Sequence, residues 1–165
     1  MAAAAARWDK WESLLDLVNE RLVQLLSSQP DFSDVCRRSG GTLKFERNPS
    51  DEDWEYTQWK GWIDSTLESE KFTVCCHLDV TSESAVSVGT EIRVLGWDES
   101  RFRSVLPEIE LHPSDYGVYC VLPLPLVFFE QAKLDDQAGI VAQATLDELV
   151  LPLVQAIKRA RTQRK

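Results

Sequence analysis

From Phe72 to Val80 apolar and polar residues alternate without a break: Phe72, Val74, Cys76, Leu78 and Val80 share one parity, Thr73, Cys75, His77 and Asp79 the other. A period of two places the first set on one face only if the segment is a strand. After a polar turn near Ser82 to Ser84, the same period returns from Val86 to Trp97, with Val88, Thr90, Ile92 and Val94 set against Gly89, Glu91, Arg93 and Leu95. Two such runs predict an antiparallel hairpin with one buried face.

A hairpin alone does not bury that face, so the flanking segments must cover it. Trp8, Trp11, Leu15, Val18, Leu22 and Leu25 recur at spacings of three and four, which predicts a helix over 7–28; Leu14, Leu17 and Leu26 widen its stripe to suit a sheet. Pro30 should stop it. At the other end, Thr145 followed by Glu148 matches a capping box, predicting a final helix that turns Leu146, Leu149, Val150, Leu153 and Ile157 to the core. Pro152 either kinks that helix or begins a separate one.

Between these ends, Leu43 to Arg47 alternates as a short strand after the Gly40-Gly41 turn signal. Tyr56, Thr57, Trp59, Trp62 and Ile63 favour a strand at 55–64 and Gly61 weighs against a helix there, although the Ser50–Asp53 N-cap pattern and the helical spacing of Trp59, Trp62, Ile63 and Leu67 compete with it. Tyr116 to Leu122 is another strand, which Pro123 and Pro125 should end or confine to a sheet edge. Pro113 beside His112 suggests a surface turn. The expectation is a single α+β domain over 1–165: an N-terminal helix, a mostly antiparallel four- or five-stranded meander sheet, and a C-terminal helix packed on the sheet. An alanine-rich start (1–6) and a basic tail (158–165) flank it.

The 165 residues and 44% hydrophobic content suffice for one core without disulfides. The four cysteines lack a CxxC spacing, and Met1 to Ala6 has neither a leading positive charge nor a Leu-rich segment. Those features, with no apolar run of membrane-spanning length, predict free thiols and a cytoplasmic protein. The net charge of −9 opposes docking to phosphate backbones, so neither nucleic acid nor membrane is expected as a partner. No phosphate-binding loop, dinucleotide fingerprint or metalloprotease motif is present, and no cofactor or metal is expected.

The tract from Glu46 to Glu70 combines carboxylates with large aromatics. Asp51, Glu52, Asp53 and Glu55 would steer a basic partner, and Trp54, Tyr56, Trp59 and Trp62 would anchor it. The expected function is a non-enzymatic protein-binding domain of chaperone, inhibitor or immunity type. One alternative is a small-molecule pocket stacking its ligand on Trp59, Trp62, Trp97 or Phe128. Another is an enzyme using Cys75, His77 or Asp79, three side chains on one strand face. The apolar segment Val121 to Phe129 leaves a homodimer open.

Overall fold

A computed structural model describes residues 2–38, 43–47, 54–59, 61–82, 85–107, 110, 112–114, 117–125 and 133–162, with side-chain surroundings for part of these. Helix α1 (Ala2–Ser28) is followed by strands β1 (Phe32–Arg38), β2 (Leu43–Arg47), β3 (Trp54–Trp59), β4 (Trp62–Leu67), β5 (Glu70–Ser82) and β6 (Ala85–Val94). Then come a short helix α2 (Glu99–Val105), strands β7 (His112–Ser114) and β8 (Gly117–Pro125), and helices α3 (Leu134–Thr145) and α4 (Leu151–Thr162), joined by a π-helical turn at Leu146–Val150.

The strands form one antiparallel sheet in the order β1-β4-β5-β6-β8-β7, with β2 paired to β3 and β3 to β5. Strands β4, β5, β6 and β8 make the central meander, and β1 lies on its edge. Strands β3 and β4 both pair with β5, but the register changes between Trp59↔His77 and Ile63↔Val74, so the pair behaves as one strand with a bulge beside Gly61. Gly61 has φ of 79°, a left-handed conformation that favours glycine. The residue that weakens a helical reading of this segment is therefore the one that lets the strand bend.

On the inner face, Leu14, Leu15, Val18, Leu22 and Leu26 of α1 meet Ile63, Leu67, Phe72, Val74, Cys76, Ile92 and Val94 of the sheet. Val141, Leu146, Leu149, Val150, Leu153 and Ile157 complete the layer from the C-terminal helices. Each fully buried side chain of this size contributes about 1.5–3 kcal/mol. Phe32 and Phe72 pack edge to face, with centroids 5.3 Å apart. The segment Leu134–Arg159 is long and apolar enough to cross a membrane by length and composition, and 56% of its apolar window is buried in this core.

Several local expectations are corrected. The first helix runs back to Ala2, ahead of residue 7, because alanine is the strongest helix former. The capping box is not used: the C-terminal helix begins at Leu134, and Thr145 sits inside it with a buried hydroxyl 3.4 Å from that of Thr90. Pro152 is the second residue of α4, directly after the π-helical turn that joins it to α3. Its missing N–H and ring are accommodated by the π-turn just before it, where Leu151 N donates to the Leu146 carbonyl. His112 and Pro113 lie in β7 rather than a turn, which an edge strand permits to proline.

Strand β8 continues through both prolines, pairing Pro123 with Ser87 and Pro125 with Ala85. Neither proline has an N–H to donate, so the ladder tolerates both without a bond from either.

Candidate functional site

All described helices contribute to the inner layer, and the opposite face of the sheet carries a different chemistry. Alternation places Trp62 and Asp64 of β4 on this outer face, with Thr73, Cys75 and His77 of β5 and Gly89, Glu91 and Arg93 of β6. Register arranges them in rows. Asp64, Thr73 and Arg93 lie side by side across three strands, while Cys75 pairs with Glu91 and Trp62 stands on the other side of Cys75.

These residues enclose an open pocket of about 270 Å³, lined by Trp62, Asp64, Thr73, Cys75, Glu91 and Arg93. Asp64 is held from two sides: Arg38 Nε lies 2.7 Å from its Oδ2, and the Thr73 hydroxyl donates to its Oδ1 at 2.9 Å. Trp62 is half-buried, and Cys75 forms a small buried floor. Beyond the pocket, His77 is also buried, its ring packed over Gly89.

Burial pushes the Cys75 thiol far above its ordinary range, and the neighbouring Cys76 and the Glu91 carboxylate add to the effect. Burial also raises Cys76, to about 11, against hydrogen bonds from Thr90 and Thr145 that act in the other direction. Both groups are held as thiols at neutral pH, whereas a cysteine nucleophile acts as thiolate. The strand that brings Cys75 and His77 to one face therefore does not activate Cys75 as a nucleophile. Cys36, Cys75 and Cys76 are free. Among the described residues no three His, Cys, Asp or Glu side chains converge on a point where a metal could bind.

Of the aromatic and acidic residues expected to bind a partner, Trp54, Glu55, Tyr56 and Trp59 lie on β3 and Trp62 opens β4. Their backbones pair with Arg47, Glu46, Phe45 and His77 respectively for the first four. Asp51, Glu52 and Asp53 fall outside the described residues, as does Phe128. Trp97 is not part of the pocket: it packs edge to face on Phe102, centroids 5.1 Å apart, and the Arg101 guanidinium lies 4.1 Å above its ring. Thr73, Glu91 and Arg93 are the lining residues that sequence reading misses. Their parity is legible, but their adjacency to Trp62 depends on strand register across the bulge at Gly61.

A second, shallower groove of about 600 Å³ lies between α1 and α3, beside the exposed Ile140. Arg21 bridges it: its Nη2 donates to both carboxylate oxygens of Asp135, each at 2.9 Å. Comparison with protein-family models, with curated proteins and with solved structures gives no match to this chain.

Proposed function

We propose that this domain is a non-enzymatic binding module that holds a basic partner protein on the acidic, aromatic part of its outer sheet face. The observation that carries the reading is the position of Trp62, half-buried at the rim of an open pocket beside Asp64 and across from Glu91. Large aromatics flanked by carboxylates combine an anchor with a steering field. The same strand pair continues into β3, where Trp59 pairs with His77 of the outer face while Tyr56 pairs with Val80, which has the parity of the inner face. The excess of 27 acidic over 18 basic residues favours a partner of opposite sign.

The test is photo-crosslinking from a probe at Thr57, followed by purification of the captured protein and titration of its affinity against salt. A basic partner whose affinity falls with rising salt is expected. Replacing Asp51, Glu52, Asp53 and Glu55 with lysine should weaken it at least about tenfold, the loss of a few steering and contact charges. An affinity indifferent to both salt and charge reversal overturns the proposal.

A further inference from the structure

We infer that two copies of this chain dimerise through the outer face of the sheet, about a two-fold axis that crosses the strands at Cys75. The dimer is independent of the partner-binding reading: second copy and partner share one face and exclude each other there.

The described helices pack on the inner face, and the charges of the outer face are sorted along strand β5. Lys71 stands four residues before Cys75 and Asp79 four residues after it, all three with the outer parity. Within one chain Lys71 and Asp79 are about 27 Å apart, at about 3.4 Å per residue, far beyond the reach of an ion pair. Lys71 is exposed, as is Arg93 on β6, and neither makes an ion pair with a described residue.

A two-fold axis lying between two facing sheets, perpendicular to the strands, reverses strand direction while keeping β5 over β5. At Cys75 it sets Lys71 of each copy over Asp79 of the other, so the contact is made twice. Packed sheets stand about 10 Å apart, a gap that a lysine and an aspartate close from opposite sides. Register carries further residues to matching positions. Arg93, paired with Thr73, comes over Gly89, paired with His77, where no side chain obstructs the long guanidinium. Glu91, paired with Cys75, meets its own counterpart at the axis, with the two Arg93 residues flanking the carboxylates and offsetting their repulsion. Leu95 continues the register, its N–H donating to the Lys71 carbonyl, and is 60% exposed. It comes over Ser87, whose neighbour on β8 is Pro123, so an exposed apolar side chain is covered. An axis parallel to the strands would instead set Lys71 over Lys71 and Asp79 over Asp79, and the charges select against it.

The experiment is sedimentation velocity on the full chain over a dilution series, with the natural protein, Lys71→Glu, Asp79→Lys and the two changes together. The natural chain should form a dimer that dissociates on dilution. Each single change sets like charges at both contacts and should weaken the dimer at least about tenfold, and the double change, which restores them with signs exchanged, should recover most of that loss. Leu95→Ser should also weaken it, whereas Ile140→Ser, beside the groove between α1 and α3, should leave it unchanged. Circular dichroism checks that each variant is folded. A chain monomeric at every concentration, or a dimer whose loss the double change fails to recover, overturns this interface and leaves the partner-binding reading standing. That reading fails separately, on a crosslinked partner indifferent to salt and charge reversal.

Discussion

The imidazole of His77 packs against the α-carbon of Gly89, its partner across the β5–β6 ladder, so closely that a methyl group on Gly89 would occupy the position of the ring. The glycine is there for close approach and has no need of unusual backbone freedom. Gly89→Ala should therefore destabilise the protein by about 1–3 kcal/mol, the usual cost of overpacking. Adding His77→Ala should recover much of that loss, and a denaturation cycle on the four proteins measures the coupling. Additive effects would show that the ring moves aside freely.

The two buried thiols give a pH dependence. A thiol whose folded pKa is raised binds its proton in the native state after the unfolded chain has lost it, so stability falls as pH rises. For Cys76 the window runs from the ordinary value of 9.0 to about 11, and Cys75 acts in the same direction. Each thiol contributes a slope of up to about 1.4 kcal/mol per pH unit inside its window. Urea denaturation under reducing conditions at increasing alkaline pH should show a steeper loss for the natural chain than for Cys75→Ala/Cys76→Ala. Parallel curves would exclude the effect.

Strands β4 and β5 are joined through Glu68 and Ser69, with φ of 49° and 98°. Positive φ at both positions is what a tight two-residue hairpin turn demands, and neither Glu nor Ser adopts it readily. Glu68→Asn with Ser69→Gly should raise stability by about 1 kcal/mol, read as a higher melting temperature. A decrease would mean that the native side chains supply more than the strain removes.

The π-turn at Leu146–Val150 carries one residue more than an α-helix needs between its flanks. Deleting the exposed Asp147 together with Pro152→Ala should give a continuous helix with Leu153 and Ile157 still facing the core, and a folded protein. Deleting the equally exposed Gln155 instead rotates Ile157 by about 100° out of the core, and should cost about 2 kcal/mol or more. Equal stability of the two deletion proteins would contradict this account of the turn.

The hairpin of Phe72–Val94 and the stripe of α1 are legible because a single period runs unbroken through each. Strand β1 escapes sequence reading because Asp34, with φ of 55°, lies within a register shift between Ser33 and Cys36 that destroys alternation. Helix α2 is announced only by Asp98, whose side chain accepts from Arg101 N; seven residues are too few for periodicity to register. Helix α3 buries Gln137, Ala138, Val141, Ala142 and Thr145, and small or polar residues on a core face leave a weak apolar signal. The site follows the same rule. Trp62 stands out by composition, whereas Glu91 and Thr73 gain meaning only from which strands lie beside them.

The helical layer is assembled from opposite ends of the chain: Arg21 of α1 grips Asp135 of α3, 114 residues away. The strands, by contrast, pair mostly with their sequence neighbours, and such local pairings form early. During synthesis the sheet can zip up while half of its cover is still missing. A nascent chain halted before Leu134 would hold Phe72, Val74, Ile92 and Val94 only partly shielded by α1. Closure of the core therefore waits on the C-terminal helices, and until they emerge the inner face is a surface for chaperones to guard.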